Sequence, residues 1–100
     1  MKEMFATLIS SNGKYTTERQ EGEYDSKSSM YYDKTKDGWR ATDKYTGMAL
    51  VTGSSTKKEC QEKVSQMMSK LTAFRNEEKY LHAVINFEEL LEDEAQSKPF

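Results

Sequence analysis

Short runs of apolar and β-branched residues, separated by turn sequences, predict strands in the first half of the chain. Residues 4–9 form the first run, and Asn12-Gly13 separates it from a second run over residues 14–19. Asn-Gly favours a type I′ turn, in which both central residues have positive φ, so the two runs predict a β-hairpin. Residues 20–29 are polar and include Gly22 and three serines, and are interpreted as a loop.

Three further short strands are predicted up to the middle of the chain and just beyond it. They cover residues 29–33, 39–43 and 48–52, and the turns between them contain Gly38 and Gly47. Short strands joined by glycine-containing turns are typical of an antiparallel meander.

The clearest helical pattern begins after Thr56. Thr56-Lys57-Lys58-Glu59 has the form of a capping box, in which the threonine and glutamate side chains accept hydrogen bonds from backbone N–H groups. Apolar residues then recur at helical spacing, at Cys60, Val64, Met67, Met68, Leu71 and Phe74. This pattern predicts a long helix over residues 57–73.

The last part of the chain supports two interpretations. Tyr80, Leu81, Val84, Phe87 and Leu91 fit a second helix that starts near Asn76, whereas Leu81, Ala83, Ile85 and Phe87 alternate as in a strand over 80–86, before a short acidic helix. The abundance of good helix formers favours the helix.

Together these elements predict one α+β domain over residues 1–95, with a frayed tail over 96–100. About four to five short antiparallel strands pack against one long helix, and the chain ends in a second helix or in a strand and a short helix.

Composition narrows the classes of function. The chain lacks both an apolar run long enough to span a membrane and the apolar stretch of a signal peptide, so we expect a cytoplasmic protein without membrane contact. Cys60 and His82 are the only residues of their types, and Cys60 falls on the apolar stripe of the predicted helix. Asp33, Asp37 and Asp43 are spaced too irregularly for a calcium loop and are interpreted as turn or strand-end residues. We therefore predict no enzyme, no metal site and no cofactor.

Charge is distributed unevenly along the chain, although the formal net charge is only −2. Residues 26–75 carry ten basic and five acidic side chains, whereas residues 76–100 carry two basic and seven acidic ones. Such asymmetry indicates a polyanion-binding face, an acidic interaction surface, or mutual neutralisation of the two.

The acidic segment predicts a surface that binds a partner. Acids spaced along a helix can imitate the phosphates of a nucleic acid and occupy a basic channel. The predicted partner-binding residues are Glu77, Glu78, Glu88, Glu89, Glu92, Asp93 and Glu94.

The basic segment offers an alternative, which also rests on a resemblance. Residues 31–66 contain Trp39-Arg40-Ala41, Thr46-Gly47, Val51-Thr52-Gly53 and Thr56-Lys57-Lys58-Glu59-Cys60. In these features the segment resembles the three-strand-plus-helix domain with which tyrosine recombinases of phages and transposons bind arm-type DNA sites. That resemblance implies a sheet that enters the major groove. The implied nucleic-acid-binding residues are Lys34, Lys36, Trp39, Arg40, Lys44, Lys57 and Lys58.

In size, charge density and a single sheet-plus-helix domain, the chain also resembles the small polar accessory proteins that phages encode, among them anti-CRISPR proteins. This implies a non-enzymatic protein that binds and inhibits or modulates a host macromolecular complex, such as a CRISPR nuclease effector. A third possibility is a homodimeric structural or adaptor protein, to which six methionines and the stripe of Leu81, Val84 and Leu91 would supply apolar contacts.

Overall fold

A five-stranded antiparallel sheet and two helices make up the computed structural model, which describes residues 2–96, without the side chain of Gln96. The strands follow one another in the sheet in the order of the sequence, so the sheet is a meander and the α+β class is confirmed. The elements are β1 (Lys2–Ser11), β2 (Lys14–Asp25), β3 (Met30–Thr35), β4 (Gly38–Asp43), β5 (Ala49–Ser54), α1 (Lys57–Arg75) and α2 (Glu78–Gln96).

The β1–β2 hairpin has the predicted turn, since φ is 53° at Asn12 and 77° at Gly13. The loop predicted over residues 20–29 is wrong for residues 20–25, because β2 continues to Asp25, and is confirmed for residues 26–29, which form a turn. Gly22 is needed there for close packing: a Cβ atom at this position would lie 2.6 Å from the Tyr32 carbonyl oxygen and 2.8 Å from Cε1 of Phe5.

The first helix begins at the predicted cap. The Thr56 hydroxyl accepts a hydrogen bond from the Glu59 N–H at 3.1 Å, and the Glu59 carboxylate accepts one from the N–H of Ser55. The predicted stripe faces the sheet, because Cys60, Val64 and Leu71 are buried. They join the core formed by Met30, Tyr32, Ala41 and Val51 on the strands.

The second helix resolves the ambiguity at the end of the chain. Residues 80–86 lie within α2, so the alternative strand is wrong. The prediction of one long helix on the sheet is only partly confirmed, since α1 and α2 each have 19 residues. Gln96, placed in the predicted frayed tail, ends α2, and residues 97–100 lie outside the described residues.

Three side chains, seven residues apart, attach α2 to the sheet. The Tyr80 hydroxyl donates a hydrogen bond to Asp43 at 2.7 Å, Phe87 packs against Gly47, and Glu94 accepts hydrogen bonds from the backbone N–H and the hydroxyl of Thr17. Thr17 shares a face of β2 with Glu23, which pairs with Lys57 of α1. Both helices therefore cover the same face of the sheet.

The sheet curls so that its first strand approaches its last turn. The Leu8 N–H donates a hydrogen bond to the Gly47 carbonyl at 2.8 Å. On the face without helices, the Phe5 ring stacks on Tyr31 with the ring centroids 4.6 Å apart. Phe5 and Thr7, which share this face of β1, are both buried.

Candidate functional site

The side of α2 that points away from the sheet combines acidic and apolar residues. Tyr80 and Phe87 are buried, and the residues on the opposite side of the helix are exposed. We name this side the outer face of α2; its residues are Glu78, Leu81, His82, Ile85, Glu88, Glu89, Glu92 and Asp93.

Two apolar side chains lie in the middle of this outer face. Leu81 is 56% exposed and Ile85 is 43% exposed, and the two are one helical turn apart. Leu81 was predicted to share an apolar stripe with Val84 and Leu91, but these two are half-buried towards the sheet. The sequence analysis did not identify Ile85 as a surface residue. Its position four residues after Leu81 and seven after Glu78 indicates that it shares a helix face with both.

The predicted acidic residues do not all lie on this face. Glu78, Glu88, Glu89, Glu92 and Asp93 do, and all five are exposed.

The other two acidic residues have different positions. Glu77 precedes α2 and forms an ion pair with Lys79 at 3.2 Å. Glu94 is turned towards the sheet, where it binds Thr17 and helps to hold the helix. The structure therefore separates one attachment residue from a group of five exposed acids.

Three of the seven predicted nucleic-acid-binding residues are paired with acids or packed against the core. Arg40 makes two hydrogen bonds to Asp33, at 2.9 and 2.6 Å, and these bonds raise the pKa of its guanidinium although burial acts in the opposite direction. Lys57 pairs with Glu23, and this contact lowers the pKa of the Glu23 carboxyl. Trp39 packs against the core.

Among the remaining basic candidates, Lys34, Lys36, Lys44 and Lys58 are exposed. The Lys44 ammonium lies 5.1 Å from the ring centroid of Tyr24 and 5.7 Å from that of Tyr45, within the range of cation–π attraction.

A mainly apolar cavity of about 670 Å³ lies between α2, the β1–β2 hairpin and the β4–β5 turn. Its volume is within the range of small-molecule sites. The lining residues include Leu8, Tyr15, Met48, Phe87 and Leu90, and the polar side chains of Ser10, Thr46 and Asn86 also border it.

The single cysteine and the single histidine of the chain, Cys60 and His82, lie in different surroundings. Cys60 is fully buried, and burial raises the pKa of its thiol. His82 is exposed on the outer face of α2, 3.8 Å from Glu78. The structure therefore does not bring a nucleophile and a base together at these residues.

Within residues 2–96, no three His, Cys, Asp or Glu side chains lie close enough together to hold a metal ion. No helix in this part of the chain combines the length and the apolar character that crossing a membrane requires.

Comparison of the chain with protein-family models, with curated proteins and with solved structures gave no match.

Proposed function

We propose that this chain is a non-enzymatic binding protein that attaches to a basic surface of a host macromolecular complex through the outer face of α2. The observation that supports this most directly is the gathering of five exposed acids on one side of a single helix. On a solvent-exposed helix of a small domain, an acidic face also aids solubility. Here the acids additionally surround exposed apolar side chains, which solubility does not require.

Attachment of α2 at several points along its length supports the same proposal. Tyr80, Phe87 and Glu94 hold the helix to the sheet at three points along its length. A surface that is already ordered before binding loses less conformational entropy when it meets a partner. The acids are thus presented at fixed spacing, as phosphates are along a nucleic acid strand.

The proposed target is a channel or groove that normally binds nucleic acid. Such sites are lined with Lys and Arg, and an acidic helix placed there would be drawn in electrostatically and would exclude the natural ligand. The resemblance in size and charge to phage-encoded inhibitors agrees with this target. A CRISPR nuclease effector is one complex with a channel of this kind.

Two alternatives receive less support from the geometry. Of the seven residues of the DNA-binding alternative, Arg40 and Lys57 are paired with acids of the same chain and Trp39 packs against the core, whereas the four other lysines are exposed. Homodimerisation through the outer face of α2 would bring like charges together.

The proposal can be tested by reversing charges on the outer face. We expect the Glu88→Lys, Glu89→Lys and Asp93→Lys triple variant to recover at least tenfold less of the host proteins that the wild-type chain recovers, because the proposed partners carry positive charge. The measurement is affinity purification from the host cell with quantitative mass spectrometry.

A matched variant controls for net charge alone. The Glu3→Lys, Asp37→Lys and Glu62→Lys triple variant changes the charge equally at exposed positions outside α2. It should recover the same proteins as the wild type. Equal recovery by both triple variants, each folded by circular dichroism, would contradict the proposal.

A further inference from the structure

We propose that the partner surface is not uniformly basic but has an apolar strip that receives Leu81 and Ile85, bordered by Lys or Arg residues. This inference rests on the proposed function and specifies its partner. In this mode of recognition, the helix contributes two apolar side chains that lie one turn apart. Their apolar contact with the partner supplies affinity, and the surrounding charges orient the partner.

The exposed pair is not used to hold the domain together. The buried Tyr80 and Phe87 attach α2 to the sheet, and Val84 and Leu91 are half-buried on the same side. Leu81 and Ile85 instead leave about half of their surface in water. A single exposed apolar residue is ordinary, but two on one exposed helix face form a strip that a partner can cover.

The charges around this strip determine which partner can cover it. Glu78 lies about one turn before Leu81, with 85% of its side chain exposed. Glu88 and Glu89 lie about one turn after Ile85. A partner that covers the strip must bring positive groups to both ends, since otherwise these carboxylates lose water without compensation.

The same charges argue against two other occupants. A second copy of the chain, paired face to face through α2, would place acids opposite acids. The surface of a membrane rich in anionic lipids would repel the acids as well. Charge complementarity therefore selects the basic amphipathic surface of a different protein.

The test uses two synthetic peptides as probes. The first is an 18-residue helical peptide with leucines along one side and lysines along the other, and the second has glutamine in place of each leucine. We expect the first peptide to bind the full chain at least tenfold more tightly than the second in fluorescence anisotropy, because only the first can cover the apolar strip.

Matched variants locate the binding. The Leu81→Gln and Ile85→Gln double variant should bind the leucine peptide as weakly as the wild type binds the glutamine peptide. The Met4→Gln and Tyr15→Gln variant removes two apolar side chains of similar exposure, 56% and 59%, from another part of the surface. It should bind like the wild type, and loss of binding in this variant would place the peptide elsewhere, including at the cavity that Tyr15 borders.

Failure of the inference differs from failure of the proposed function. Equal binding of both peptides, abolished by Glu88→Lys and Glu89→Lys, would overturn the apolar strip and leave a purely electrostatic surface. Lack of binding to either peptide at low salt would overturn both. A dimer of the wild type that disappears in the Leu81→Gln and Ile85→Gln variant, detected by sedimentation, would assign the strip to a second copy and overturn the inference.

Discussion

At the scale of single residues, the fold depends on one buried carboxylate. Asp43 is fully buried and accepts hydrogen bonds from Thr46 at 2.7 Å, from Arg75 at 2.6 Å and from Tyr80 at 2.7 Å. These partners lie in the β4–β5 turn, at the end of α1 and near the start of α2. One side chain thus fixes where both helices meet the sheet.

We expect Asp43→Ala to destabilise the chain by about 3–5 kcal/mol, because it leaves the partly buried Arg75 guanidinium without its counter-charge. Urea denaturation followed by circular dichroism measures this change. Asp37→Ala, which removes an exposed carboxylate from the β3–β4 turn, should stay within about 0.5 kcal/mol of the wild type. A similar loss of stability in both variants would contradict the assigned role of Asp43.

The sequence placed some residues correctly and could not place others. The Thr56 cap and the buried stripe of α1 were predictable, because their partners are a few positions away or repeat at helical spacing. Asp43 was interpreted only as a strand-end residue. Its partners Arg75 and Tyr80 are 32 and 37 positions away, and no local pattern links residues at that distance.

At the scale of elements, the attachment of α2 depends on Gly47, a residue without a side chain in the β4–β5 turn. Gly47 has φ of 70°, and a Cβ atom there would lie 2.6 Å from Cζ of Phe87. The turn therefore needs glycine for its backbone conformation and also for the space that the helix fills.

Gly47→Ala should cost about 1–2 kcal/mol for the left-handed backbone and about 1–3 kcal/mol more for the contact with Phe87. Gly13→Ala is the matched control, because Gly13 has φ of 77° and open space around it. We expect Gly47→Ala to lower the free energy of unfolding by at least about 1 kcal/mol more than Gly13→Ala. Equal losses in chemical denaturation would show that α2 does not press on this turn.

Strands and helices were predicted correctly where a single hydrophobic periodicity dominates the segment. In β2 a polar sequence with Gly22 resembles a loop, but the glycine is present because Phe5 and Tyr32 approach the strand closely. In α2 the apolar residues fit the periodicity of a helix and also that of a strand, and the sequence alone does not distinguish the two structures. The five acids on the outer face of α2 were among the residues predicted from the sequence. The exposure of Ile85 was not predictable, because it depends on which side of the helix meets the sheet.

At the scale of the whole molecule, stability should decline at alkaline pH. Burial, followed by the hydrogen bond to Asp43, raises the pKa of Tyr80, and burial also raises the pKa values of Tyr31 and Tyr32 above 10.0. Above that pH the unfolded chain loses these protons before the folded chain does. The folded state therefore loses free energy relative to the unfolded state, by up to about 1.4 kcal/mol per pH unit for each tyrosine.

Removal of one tyrosine should reduce this slope. We expect Tyr80→Phe to be less stable at neutral pH, because the hydrogen bond to Asp43 is lost, but to decline less steeply above pH 10. Denaturation midpoints measured between pH 8 and 11 give the slopes. The Tyr15→Phe variant, altered at an exposed position, should keep the slope of the wild type, and an unchanged slope in Tyr80→Phe would contradict the prediction.

The curl of the sheet was beyond what the sequence could show. Each hairpin follows from its own turn, but the approach of Leu8 to Gly47 depends on twist accumulated over all five strands.

The contact between Thr17 and Glu94 has a consequence for how the chain folds. It joins the first hairpin to the end of the last helix across 77 positions. Each neighbouring strand pair can form locally as the polypeptide emerges from the ribosome, whereas this contact must wait until Glu94 has been added. The first hairpin can therefore form before the contact that secures it, because docking of α2 on this hairpin requires closure of a long loop.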